Sequence, residues 1–239
     1  MKTLNHNDRE FPVAHFQGNT FNTFALTLGR AFVGRKIIIP NDVTIVTVAT
    51  KNIIDNSPLI SQLNRNSINF INTATETNAN ISGWKNTDKP GFILSGLEQV
   101  KTKYALVLDA ADVLLTGDLK DIVERFNEYG KDVLFGATKS NYPDVLIDKV
   151  EKRDWLGEFR YLNAGTAFGL TNALKKFYTA VVNLNIENPF DSEQFLVRHI
   201  FANNQDWVGF DYKCGIFQTF GKATVFHPDK KDITVAKVI

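Results

Sequence analysis

A chain of 239 residues with 44% hydrophobic and 22% charged content has the make-up of one soluble globular core. A net charge of +1 supplies no global field for nucleic acid or membrane, and no run approaches the roughly 18 apolar residues of a membrane span. Cys214 is the only cysteine, which excludes an intramolecular disulfide and argues against a zinc cluster. Residues 1–10 lack the apolar centre of a secretory signal, so a cytoplasmic protein is expected.

Residues 1–18 are polar, broken by Pro12 and Gly18, and are expected to form a loosely held arm. Phe21, Phe24, Leu28, Ala31 and Phe32 fall at helical spacing, and Gly34 is a stop. Residues 1–40 are thus expected to be an arm and a helix packed on a single domain spanning 41–239. A β-branched run over 43–50 predicts the first buried strand, followed by a helix over 58–64 and a strand over 68–71. The Thr- and Asn-rich stretch 72–88 reads as a long loop, of the kind that often carries function. Trp84 within it can stack on a base or a sugar face, or anchor the loop, and Lys89 beyond it is a candidate phosphate contact.

A helix over 92–102 then gives way to the most informative stretch, an apolar run over 104–108 that ends in Asp109 and Asp112. Burying unpaired carboxylates at a strand end is costly. They make sense if the strand opens into a cleft where a divalent cation neutralises them. The carboxyl ends of strands are also where α/β sheets bind ligands. The plainer alternative is a turn whose Asp side chains accept from local N–H groups. Thr116 to Asp118 can cap the next helix, which carries Leu119, Ile122, Val123 and Phe126 and ends at Gly130.

Strands are predicted over 132–135 and 161–170, the second interrupted by Gly165 and Gly169. Glycines in a strand mark either a bulge or close approach of a ligand, and Asn163 beside them can meet a sugar hydroxyl. Helices follow over 173–184 and 191–201. Asp191 and Glu193 sit at the start of the second, where an acid favours the helix by capping alone. The tail shows strands over 215–220 and 223–226, then His227, Lys230 and Lys231. His227 is either a hydrogen-bonded structural residue or a nitrogen ligand, and mixed Asp/His ligation favours manganese. Alternating strands and helices predict an α/β fold with a mixed, mainly parallel sheet covered by helices.

In order along residues 43–232, these pieces resemble the glycosyltransferase domain of the procollagen lysyl hydroxylase/glycosyltransferases and its bacterial and viral relatives. The matching elements are Ile45-Val-Thr-Val-Ala-Thr50, Lys89 before a helix, Leu108-Asp109-Ala-Ala-Asp112-Val, Tyr161-Leu-Asn163-Ala-Gly165, Asp191-Ser-Glu193-Gln194, and Phe226-His227 followed by Lys230. The resemblance implies a GT-A, Rossmann-like fold and a metal-dependent transfer from a UDP-sugar to an acceptor hydroxyl. It implies that Asp109, Asp112 and His227 bind Mn2+ or Mg2+. It implies also that Thr50 and Thr47 contact the nucleotide, that Lys89 meets the phosphates, and that Asn163 faces the donor sugar. Gly165, Trp84 and Lys230 are expected to line the same site. The family's acid pair before the Gln appears here as Ser192-Glu193, with Asp191 one place earlier, which leaves Glu193 and Asp191 as rival catalytic acids.

A compact Asn- and Ile-rich chain suits a bacterial or phage enzyme. Acceptors that fit are a hydroxymethylated pyrimidine of phage DNA, a glycan, or a hydroxylated protein side chain. The competing readings are a UDP-sugar-binding module without turnover and a sugar nucleotidyltransferase. The second usually needs a glycine-rich loop after the first strand, and Ala49-Thr50-Lys51-Asn52 supplies no glycine.

Overall fold

The computed structural model of the chain describes residues 5–6, 9–10, 12–16, 36–74, 85–143, 157–188 and 190–220. Its strands are β1 (Asn5–His6), β2 (Arg9–Glu10), β3 (Val13–Phe16), β4 (Val43–Val48), β5 (Phe70–Asn72), β6 (Tyr104–Asp109), β7 (Val113–Leu115), β8 (Val133–Thr138), β9 (Tyr161–Leu170), β10 (Val208–Phe210) and β11 (Phe217–Phe220). Its α-helices are α1 (Lys51–Ile54), α2 (Pro58–Arg65), α3 (Lys89–Gln99), α4 (Ile122–Asn127), α5 (Thr171–Val182) and α6 (Glu193–Ala202). None of them is long and apolar enough to cross a membrane.

The main sheet has the order β10-β8-β9-β6-β4-β5. Five strands run one way, and β9 runs against both of its neighbours. The sheet is therefore mixed and mainly parallel, as the alternation of strands and helices predicts. Successive side chains of a strand point to opposite faces. On β4, Val46 and Val48 join the core that includes Ile93, Leu97, Leu174 and Phe177, so α3 and α5 cover that face. Val43 and Ile45 join Leu59, Leu63, Leu119 and Phe126 on the other face, under α2 and α4. The same alternation on β6 puts Ala105 and Val107 on the α3 face, and Asp109 continues their row. That places Asp109 toward the helix whose first residue is Lys89. Close packing of α3 needs Gly96, where a Cβ would lie 2.6 Å from Val46 Cγ1.

A second sheet of three strands, β11-β3-β7, lies on the α2/α4 side. Its middle strand corrects the expectation of a loose arm over residues 1–18. Val13, Ala14, His15 and Phe16 are all buried, with β3 parallel to β11 and antiparallel to β7. A short strand is stable when both edges are paired: Val13, Ala14 and His15 have a partner on each side, and Phe16 pairs with Phe220 and donates its N–H to the Asp112 carbonyl. The helix expected over 19–33 and the strand expected over 223–226 lie outside the described residues.

Helix α3 starts three residues earlier than its apolar spacing predicts. Pro90 sits in its first turn, where a missing N–H costs nothing. Helix α4 starts later than expected, because the Asp118 carboxylate accepts from the N–H groups of Ile38 and Lys120 instead of capping. Strand β10 was not expected from the sequence, since three residues centred on Gly209 carry too little pattern.

Entry into β11 depends on one fully buried carboxylate. Asp211 accepts from the N–H groups of Gly215, Ile216 and Phe217 at 2.9, 2.7 and 2.7 Å, and from the Tyr129 hydroxyl. Asp211→Ala would orphan three buried N–H donors, and we expect a loss of about 3–5 kcal/mol. Urea denaturation followed by circular dichroism checks this; a loss below about 1 kcal/mol would show that water replaces the carboxylate.

Candidate active site

Five polar side chains from five separate segments converge where β6 ends. Asp109 terminates β6, and Asp112 follows in the turn before β7. Lys89 begins α3 and Glu193 begins α6, while His15 arrives on β3. The Lys89 ammonium is paired with Asp109 and lies 2.7 Å from Glu193 Oε2. His15 Nε2 is 3.4 Å from Asp112 Oδ2 and 4.0 Å from Asp109 Oδ2.

The backbone enforces this convergence. In β3, His15 pairs with Val113, and the N–H of Phe16 donates to the Asp112 carbonyl at 2.8 Å. On β9, Gly165 stands beside the cluster. A Cβ there would lie 2.4 Å from His15 Cε1 and 2.9 Å from Asp109 Oδ2, so only glycine leaves room. Gln194 clamps α6 to the same strand. Its carbonyl accepts from the N–H of Ala164 at 2.7 Å, and its amide donates to the Leu162 carbonyl. That clamp fixes the start of α6 and so brings Glu193 to Lys89.

The charges are unbalanced, three carboxylates against one lysine and one histidine. Burial pushes the Glu193 carboxyl up to about 7, partly offset by Lys89 and reinforced by Asp109. Burial also raises Asp109, against Lys89. At Asp112 burial is outweighed by His15, and its pKa is lowered. Burial opposes the charged forms of Lys89 and His15, yet their carboxylate neighbours override it and both are raised.

Among the described residues, three buried atoms of the cluster have no hydrogen-bond partner: Nδ1 of His15, Oδ1 of Asp112 and Oε1 of Glu193. An orphaned buried polar atom costs about 1–3 kcal/mol, so three at one place point to a ligand. One donor atom each from His15, Asp109 and Asp112 lies within 4.8 Å of the others, which fits a single divalent cation.

The family model described as the PLOD GT domain matches residues 40–228. The chain belongs to this family. As a PLOD glycosyltransferase domain it performs glycosyl transfer, which implies a nucleotide-sugar donor and an acceptor. One similar solved structure is that of a glycosyltransferase involved in glycosylation of the major capsid of PBCV-1. It shares 15% identity, with a TM-score of 0.37, over 81% of this chain and 86% of that one. No curated protein matches.

The other expected site residues fall into three groups in this PLOD domain. Thr50 is half-buried after β4, and its carbonyl accepts from Ile53 and Ile54 while its hydroxyl makes no capping bond. Asn163 is buried on β9, where its Oδ1 accepts from the N–H of Gly165. Thr47 is not brought to the site. It is fully buried and its hydroxyl donates to the Leu108 carbonyl at 2.7 Å, so it ties β4 to β6. Asp191 is exposed, with Oδ1 accepting from the Thr87 hydroxyl at 3.1 Å. Trp84, His227 and Lys230 lie outside the described residues. His15 is the residue that sequence reasoning missed. The apolar run around it, Phe11-Pro-Val-Ala-His-Phe16, was a legible strand signal that the polar flanks obscured.

Proposed function

We propose that this PLOD glycosyltransferase domain moves a sugar from a UDP-sugar to an acceptor hydroxyl and depends on a divalent cation held by Asp109 and Asp112. The observation that carries this reading is the convergence of those two acids with His15, Lys89 and Glu193 at the carboxyl end of β6. When bound, the cation, Mn2+ in preference to Mg2+, supplies positive charge against the diphosphate. Lys89 adds a fixed positive charge for the same leaving group. Thr50 contacts the nucleotide, and Asn163 and Gly165 line the donor sugar. The bond from the anomeric carbon to the diphosphate oxygen breaks, and its electron pair leaves with UDP. The acceptor oxygen bonds to that carbon, and its proton passes to Glu193, whose pKa near 7 suits a base at neutral pH. By the resemblance, His227, Lys230 and Trp84 add further contacts to the metal and nucleotide.

A cavity of about 690 Å³ lies beside the start of α3, lined by none of the five clustered side chains. Asp88 and Pro90 flank Lys89 in its lining, and Asp191 and Leu196 lie close to Glu193 in sequence. Lys85 is the only cation among the described residues of that lining. Duplex DNA is held mainly by Lys and Arg at phosphates, and a net charge of +1 gives it little support, which favours a glycan or a hydroxylated protein side chain.

Release of UDP from a panel of UDP-sugars, with and without Mn2+, tests the reading on the native protein and on Asp112→Ala. We expect slow hydrolysis of one donor that requires both the metal and Asp112. Absence of any metal-dependent UDP binding would overturn it.

A further inference from the structure

We propose that His15 is itself a metal ligand, so that β3, a strand outside the matched residues 40–228, is a working part of the catalytic centre. The inference rests on the metal-dependent reading above and deepens it. Nothing in the acid pair's own neighbourhood of sequence supplies a nitrogen donor; the fold imports one from nearly a hundred residues upstream.

Three observations carry it. The first is position. The ring is 3% exposed, and among the described residues its Nε2 faces Asp109 and Asp112. The second is the lack of a structural reason for burying the ring. A core histidine normally satisfies both nitrogens, but among the described residues Nδ1 has no partner and Nε2 faces carboxylates of which Asp112 is itself incompletely satisfied. The third is that the surroundings are built to hold the ring in place. Strand β3 is paired on both edges, with Val113 and Thr219 opposite His15, so the sheet fixes the direction in which its side chain leaves the backbone. Gly165 provides its space, since a Cβ there would lie 2.7 Å from Nε2. An imidazole held only as a counter-ion for two acids needs no such fixed register, because charge attraction is not directional. A ligand nitrogen does need it. One neutral nitrogen beside two carboxylate oxygens also shifts preference from Mg2+ toward Mn2+.

The test reads the metal directly, with Mn2+ alone and the full chain. Pulsed electron paramagnetic resonance detects nitrogen coupled to bound Mn2+, and titration of the free-ion signal gives Kd. In His15→Gln we expect the nitrogen coupling to fall and Kd to rise about 10- to 100-fold. His15→Asp, which restores an oxygen donor, is expected to recover much of the affinity with the coupling still reduced. Coupling that is unchanged in His15→Gln but lost in His227→Gln overturns the assignment and leaves the metal site standing. Native protein that binds no Mn2+ overturns the metal reading and this inference with it. Should circular dichroism show His15→Gln unfolded, the native protein answers the question. Loaded with Fe2+ and treated with hydrogen peroxide, it is expected to gain one oxygen at His15, an oxidation that excess Mn2+ blocks. An unmodified His15 under conditions that oxidise other residues of the site overturns the proposal.

Discussion

Gly165→Ala is expected to raise the Kd for Mn2+ at least 100-fold, although the substitution adds a single methyl group. That methyl would sit 2.4 Å from His15 Cε1, 2.7 Å from Nε2 and 2.9 Å from Asp109 Oδ2, all well inside van der Waals contact. Something must move, and the neighbours are poorly placed to do so. His15 is held by a strand paired on both sides, and Asp109 ends a central strand. Gly165 itself lies at the register shift of β9 against β8, between Asn163 and Ala167, which pair with Gly136 and Phe135. The displacement is shared between this bulge and the side-chain cluster it faces. Overpacking typically costs about 1–3 kcal/mol of stability, which leaves the variant folded enough to measure. Mn2+ titration beside a thermal melt separates the two effects. A Kd within threefold of native, with an unchanged melt, would show that the cluster has slack the geometry denies.

Glu193→Gln is expected to lower kcat/KM for transfer by about 100- to 1,000-fold, the size usual for losing a general base. Asp191→Asn is expected to stay within about threefold of native. Both acids stand at the same helix start, and the difference lies in where their side chains go. Glu193 is buried against Lys89, whereas Asp191 is exposed with φ 42° and bonds Thr87. Asparagine tolerates that backbone conformation and keeps an acceptor oxygen. Equal losses in the two variants would mean that the pair acts together and would remove the distinction.

The same substitution has a signature in stability. In the metal-free protein the Glu193 pKa is raised from 4.5 to about 7. The folded state therefore holds a proton that the unfolded chain releases. Its contribution to stability is fully present below pH 4.5 and is lost as pH rises through about 7. Glu193→Gln removes that slope, so urea midpoints at pH 5 and pH 7.5 should lie closer together in the variant than in the native protein.

Several elements were legible because their physics is local. Strands β4, β6 and β9 are apolar runs long enough to declare themselves, and the acids at the end of β6 conflict with burial at once. Lys89 was placed ahead of a helix but not as its first residue, because Pro90 reads equally well as a loop. Choosing between Glu193 and Asp191 needed the fold, since a helix N-terminus welcomes either acid. Thr47 looked like Thr50 in sequence, yet Thr47 lies inside β4 and ties it to β6, whereas Thr50 stands past the strand's end at the start of α1. The role of His15 was harder to read for another reason. Its strand is four residues long, and both partners lie far away in the chain.

That distance has a consequence for how the domain comes to function. Val13 lies beside Phe217, a parallel pairing about 200 residues apart in sequence, and contacts of such span form late in folding. A nascent chain can assemble β4, β6 and their helices well before β11 exists to flank β3. The reactive centre is thus among the last features to be completed. Catalytic competence then reports that the whole domain has closed, and partly folded molecules would carry the acid pair yet remain silent toward any sugar donor they met.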